Sequence, residues 1–347
     1  MDTHIQTVES GQELSMDQIA QAADYLLDEQ ADVAKKISFL KGLASKGETP
    51  AEIAGFVECF LERAVDPGTA EMRFSGPTID VCGTGGDKLN LFNVSTTSMF
   101  VIAAGGATVV KHGNRGITSK SGGADVLEAL GVRLDISPET FRKCLDVAGV
   151  GFLFAQMYHP AFKAVAPVRA ELAKEGIRTI FNLIGPLLNP VRPECQLIGV
   201  CDHALGPVFS EILNKLGRKS SWIVSGQTAD GRPVDEMSLM GETAIYQSVE
   251  GGSMHELQVS PDQLGLDVCD EEALRGGDAE ENAKILVAIL SGEELGPKRD
   301  MVLLNAGAGL ACAGIAEDIA AGVSQARELI DSGRALERLQ LLQSVAK

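Results

Sequence analysis

The sequence predicts an α/β fold in two parts: a small α-helical domain over residues 1–72, and a larger α/β domain with a mostly parallel central sheet over 73–347. Three observations carry this. The first seventy residues hold only helical periodicity. From residue 78, short apolar runs alternate with helical segments, the pattern of parallel strands covered on both faces. And 45% of the 347 residues are hydrophobic, enough to bury a sizeable core.

Taken in order, the helical part begins at two capping boxes. Ser15 is followed by Gln18, and Thr49 by Glu52 with Pro50 at the first helical position. ADYLLDEQ, VAKKISFLKGLA and IAGFVECFLERAV then repeat their apolar residues at helical spacing. The α/β part reads as strands TIDVC, ATVVK, VGFLFA, CQLIGVC and SSWIVSG, separated by segments such as ADVLEALG and PETFRKCLDVAG. From about residue 300 the chain is Ala-rich and helical again.

A net charge of −18 excludes a broad nucleic-acid or anionic-membrane surface, which needs clustered Lys and Arg. An anionic ligand must therefore be met by a local device. The 38 glycines exceed the usual share of roughly 7% and mark places of close backbone approach. Seven scattered cysteines without CxxC spacing read as reduced thiols and no structural zinc. There is no apolar signal core and no run of the ~18 apolar residues that spans a bilayer, so a cytoplasmic address is expected.

Strand TIDVC runs into Gly83-Thr84-Gly85-Gly86-Asp87 and then Asn93-Val94-Ser95-Thr96, where an apolar helix starts. A glycine turn at a strand end that feeds a helix N-terminus offers N–H groups and a dipole to phosphate. It fits neither a dinucleotide fingerprint nor a Walker loop. The glycines could equally make a tight turn, with Asn93 or Ser95 capping the helix. The next strand ends in Lys111-His112-Gly113-Asn114-Arg115-Gly116 and leads to Ile117-Thr118-Ser119. Two cations on glycine-rich backbone suit a phosphate or pyrophosphate. Alternatively, Lys111 and Arg115 pair with acids on neighbouring loops. Asp235-Glu236 falls in a loop, from which both carboxylates can face one site and suit magnesium; as exposed loop carboxylates they would add little to stability. The dipeptide alone says little, because Asp28-Glu29 and Asp270-Glu271 also occur.

GTGGD, NVST, KHGNR, SGGADVLEALG, FLFAQMYHPAFKAVAPVR, RTIFNLIGPLLNP and VDEMSL occur in an order that resembles the anthranilate phosphoribosyltransferases, over nearly the whole chain. The resemblance implies the nucleoside phosphorylase/phosphoribosyltransferase type of fold, with helices near 160–190 joining the small domain, and a homodimer through that domain. It implies transfer of phosphoribosyl from phosphoribosyl pyrophosphate (PRPP) to the anthranilate amine, in tryptophan biosynthesis. PRPP would be bound by Gly83, Gly86, Asp87, Asn93, Ser95, Thr96, Lys111, His112, Gly113, Asn114, Arg115 and Ser119. Two Mg2+ ions would be held by Ser95, Asp235 and Glu236. Anthranilate would meet Gly83, Asn114, His159 and Arg169. Arg169 could pair a carboxylate bidentately; on residues alone it reads as a surface arginine, and His159 could equally be a core histidine. An aromatic amine is already a nucleophile, so no general base is implied. The chain departs from the family pattern at Lys88 (commonly glycine), Leu91 (threonine) and Gly123 (serine), and is longer between Arg169 and Ile177. The alternatives are another acceptor or a nucleoside phosphorylase of this fold, and a non-catalytic nucleic-acid-binding relative.

Overall fold

The computed structural model describes residues 1–116 and 120–347. Ser119, expected at the donor site, lies outside the described residues.

Four helices open the chain: α1 (Asp2–Glu9), α2 (Met16–Leu27), α3 (Val33–Lys46) and α4 (Pro50–Leu61). Both expected capping boxes form. Ser15 Oγ accepts the Gln18 N–H at 3.3 Å while Gln18 Oε1 takes the Ser15 N–H at 2.9 Å. Thr49 and Glu52 do the same at 3.3 and 3.0 Å. These bonds satisfy amides that a helix start leaves unpaired. Glu52 also accepts the Leu14 N–H at 2.9 Å, which ties the turn before α2 to α4.

Phe39, Phe56, Phe60, Leu40 and Leu43 fill the bundle. The same apolar core takes in Val165, Leu172, Phe181 and Leu187, and continues into Ile198, Phe209 and Ile223 of the sheet side. The bundle is thus seated on the α/β part through shared buried side chains.

The α/β part runs β1 (Thr78–Gly83), α5 (Val94–Ala104), β2 (Thr108–Gly113), α6 (Gly123–Ala129), α7 (Pro138–Ala148), β3 (Val150–Phe154), α8 (Ala155–Tyr158), α9 (Ala166–Lys174), β4 (Cys195–Gly199), α10 (Leu205–Lys215) and β5 (Ser220–Gln227). There follow β6 (Pro233–Val234), β7 (Thr243–Val249), β8 (His255–Val259), α11 (Glu271–Leu274), α12 (Ala279–Leu290), α13 (Pro297–Cys312), α14 (Ile319–Asp331) and α15 (Arg334–Val345). The sheet order is β3-β2-β1-β4-β5-β7-β8, with β6 on β5. β1 to β5 pair in parallel, whereas β6, β7 and β8 are antiparallel. β3 and β4 are buried along their whole length, as continuous apolar runs require.

The chain leaves β1 toward β2 and β3, then returns to β1's other side as β4. The order therefore reverses between β1 and β4, and in open α/β sheets ligands bind at the carboxyl ends of strands at such a reversal. Gly83 pairs with Gly199 at those two ends.

Candidate functional site

Above the β1/β4 reversal lie Asp235 and Glu236, in a bend after β6. Two glycines make the room. A Cβ on Gly83 would sit 2.2 Å from Asp235 Oδ2, and one on Gly199 would sit 1.7 Å from the Asp235 carbonyl oxygen. The bend is held from below by Asn305 of α13, which accepts the Met237 N–H at 3.0 Å and donates to the Met237 carbonyl at 3.0 Å. Asn305 is buried and was not marked by any motif.

Asp235 is buried and Glu236 partly so, which corrects the expectation of exposed loop carboxylates. Burial and the neighbouring Asp87 push Asp235 well above the usual carboxylate range. Burial and Asp235 do the same to Glu236, against the opposing pull of Lys111. Asp87 is raised chiefly by burial. Three acids are thus crowded where Lys111 faces them, an arrangement that calls for a further cation. Among the described residues no three His, Cys, Asp or Glu side chains close on one point. Asp235 and Glu236 offer carboxylate oxygens, the ligand type that magnesium takes from protein.

The glycine loop after β1 bends over this cluster. Gly85 and Gly86 have φ of +76° and +102°, and the Gly85 N–H donates to Asp235 Oδ2 at 2.6 Å. Asp87 accepts the Leu89 N–H at 3.1 Å. Lys88 follows at φ +61°, a left-handed backbone that costs a non-glycine residue about 1 kcal/mol. Ser95 lies in the first turn of α5, where its amide pulls the Glu236 carboxyl down against the burial that raises it. The helix end read as a phosphate seat therefore faces a protein carboxyl.

Several expected donor contacts are placed otherwise than the motifs suggested. Lys111 is 4% exposed and donates to the Val81 carbonyl and, at 3.2 Å, to Ser95 Oγ, so it acts as a counter-charge beneath the cluster. Arg115 takes the alternative pairing: its guanidinium binds Glu128, at 2.8 Å for one bond, and Asp125 at 3.4 Å, over the Phe154 ring. Asn93 stands at the N-cap of α5, but its side chain makes no capping bond; it donates to the Ser121 carbonyl at 3.2 Å and accepts from Asn282 at 2.8 Å. Thr96 is buried, and a Cβ on Gly123 would stand 2.9 Å from its hydroxyl, so the departure at Gly123 accompanies tight packing of α6 on α5. Gly113 closes β2 and packs on Phe152, which a Cβ would meet at 2.8 Å. Asn114 accepts the Arg115 N–H at 2.8 Å.

From the end of β2 a line of rings leads toward Arg169. His112 meets His159 at 5.3 Å, His159 meets Phe162 at 5.3 Å, and Phe162 meets Phe181 at 5.7 Å. The Arg169 guanidinium lies 5.9 Å over Phe181. Burial lowers Arg169 from its usual value, and among the described residues no acid pairs with it. His159 is buried and bonds the Leu188 carbonyl at 2.7 Å, the core role its sequence position also allowed. His112 is pushed down to about 3 by burial, with His159 and Lys111 adding to it, and its Nε2 has no partner among the described residues. Under both loops Asp80 is fully buried and raised to about 6 by burial; Asn189 donates to it at 2.8 Å and to the Val110 carbonyl at 2.6 Å. Asp80 and Asn189, like Asn305, were invisible as site residues because single buried polar residues leave no pattern.

Comparison with known proteins gives the chain's family. The model described as "Glycosyl transferase family, helical bundle domain" matches residues 3–64, and "Glycosyl transferase family, a/b domain" matches 75–336. The anthranilate phosphoribosyltransferase of Chloroflexus aggregans is 44% identical over 343 residues, 99% of this chain and 97% of the relative. The crystal structure of the Thermus thermophilus enzyme superposes with a TM-score of 0.89 at 37% identity, covering 100% of this chain and 99% of that one. That of Saccharomyces cerevisiae, in complex with PRPP and Mg, gives 0.85 at 26% identity over 99% and 97%. The chain belongs to the anthranilate phosphoribosyltransferase family.

Proposed function

We propose that this chain binds PRPP with magnesium above the β1/β4 reversal and transfers its phosphoribosyl group to the amine of anthranilate, releasing pyrophosphate. The observation that carries the reading is the crowding of Asp87, Asp235 and Glu236 under a glycine loop, with Lys111 as the cation beside them. The yeast relative's complex with PRPP and Mg supports it. Magnesium bound there would neutralise charge on the departing pyrophosphate.

The chain's own residues do the rest by position and charge. Asp235 and Glu236 hold the cation, and Ser95, moored by Lys111, offers a hydroxyl to it. The open backbone at Gly85 and Gly86 admits the phosphates, since a Cβ at either meets nothing within 4 Å. Arg115, once free of Glu128, adds a guanidinium. Arg169 pairs the anthranilate carboxylate, and the ring line between it and His112 supports the flat acceptor. The amine then enters the anomeric carbon opposite the leaving group, with inversion. Two magnesium ions are proposed, shared between the carboxylates and Ser95.

The division at residues 72 and 73 lies between the two family matches, 3–64 and 75–336, and the joining of 160–190 to the small part is supported by the apolar core they share. A homodimer through the small part is proposed from the exposed Met16 and Val33 at the starts of α2 and α3, and sedimentation velocity tests it. No helix among the described residues is long and apolar enough to cross a membrane. The test of the reaction is loss of anthranilate fluorescence on mixing with PRPP and magnesium. Turnover that persists under a chelator, or no turnover at all, sinks the reading.

A further inference from the structure

We infer that Lys88 is a donor-recognition residue, its ammonium meeting the outer phosphate oxygens of the polyphosphate that the glycine loop admits; this rests on the donor site proposed above. Lys88 is exposed on the loop that carries Gly85, Gly86 and Asp87. Its backbone is held on both sides. Before it, Asp87 takes the Leu89 N–H; after it, Leu89 is buried, the Gly276 N–H binds the Asn90 carbonyl at 2.9 Å, and Leu91 bridges Arg275. The loop therefore keeps residue 88 left-handed at φ +61°, a conformation that glycine adopts without strain and lysine does not.

No hydrogen bond or ion pair of the lysine side chain with the described residues offsets that strain. Among them Lys88 makes no hydrogen bond and no ion pair, although the chain carries an excess of 18 negative charges. The other two cations that the motifs offered are engaged: Lys111 is buried against Val81 and Ser95, and Arg115 is bound by Glu128 and Asp125. A polyanion entering over three carboxylates needs positive charge on its open side. Lys88 supplies it from the loop that the ligand must touch, at a position where Leu91 brings no hydroxyl.

The test titrates PRPP with magnesium into wild type, Lys88→Gly and Lys88→Met by calorimetry, alongside KM and kcat for both substrates and thermal melts. Both variants are expected to bind PRPP about 3- to 10-fold more weakly, as for loss of one exposed charge-assisted contact. The effect falls on KM for PRPP rather than on kcat, and the anthranilate KM holds. Lys88→Gly should melt about 1–3 °C higher by relief of the left-handed residue, whereas Lys88→Met, which keeps the strain, should not. A loop with a merely structural Lys88 would not separate binding from melting in this way. Wild-type affinity in both variants, or equal damage to both substrates, overturns the inference while leaving the donor site standing. Wild type that fails to bind PRPP removes both.

Discussion

The Gly85 N–H donates to Asp235 Oδ2 at 2.6 Å across 150 positions of sequence, and this bond joins the phosphate-type loop to the carboxylates beneath it. Each half is uninformative alone. Glycine turns are common and so are Asp-Glu pairs; their contact at the β1/β4 reversal makes a site.

Asp235→Asn separates function from stability at this contact. The amide oxygen can still accept from Gly85, while a buried charge beside Asp87 and Glu236 is removed. Because burial raises the folded-state carboxyl to about 7, its contribution to stability is fully present below the ordinary carboxyl value of 3.8 and is lost as pH rises from there through the folded value. The variant should then be more stable than wild type by about 1–3 kcal/mol at pH 8 without magnesium. Turnover should fall about 10²- to 10³-fold. A variant that melts lower at pH 8 and works normally contradicts both halves.

Arg115 pairs with Glu128, and the proposed donor contact of Arg115 requires that this pair open. Glu128→Gln should lower the KM for PRPP up to about fivefold, the worth of an exposed ion pair. Arg115→Ala should raise it, with anthranilate saturation unchanged. If Glu128→Gln instead weakens PRPP binding, the ion pair positions the loop and Arg115 does not leave it.

Arg169→Ala addresses the acceptor. Loss of a bond to a charged group costs roughly 1.5–3 kcal/mol, or about 10- to 150-fold in anthranilate KM. The effect should vanish with an aniline that lacks the carboxylate. Equal impairment with both amines would remove Arg169 from the carboxylate contact.

His112 is buried neutral, its folded-state value about 3 against 6.5 when exposed. Its contribution to stability is therefore present above about pH 6.5 and lost as pH falls, since the unfolded chain takes up the proton. Buried acids such as Asp80, raised to about 6, work in the opposite sense. They cancel when His112→Gln is compared with wild type. Urea melts should show the variant gaining on wild type by about 1.4 kcal/mol per pH unit between pH 6.5 and 5. A pH-independent difference would mean that His112 is not held neutral.

Local chemistry was readable from residues alone. Ser15 with Gln18 and Thr49 with Glu52 specify helix starts by bonds three positions apart, so their geometry needs no tertiary context. Apolar runs such as VGFLFA could only be strands buried on both faces. The outermost strand escaped notice because HELQV in β8 is largely exposed and shows no apolar run. What the linear sequence determined is that two glycine-bearing loops leave parallel strand ends in an acidic chain, together with the motifs that mark its family. Only the tertiary structure decided which charges meet. It buried Lys111 under Ser95, gave Arg115 to Glu128, drew Asp235 against Gly83 and Gly199, and left Lys88 without a partner among the described residues. Such pairings depend on the register of β1 against β4 and the seating of α6 on α5, which arise when distant apolar faces pack, and no local pattern encodes them.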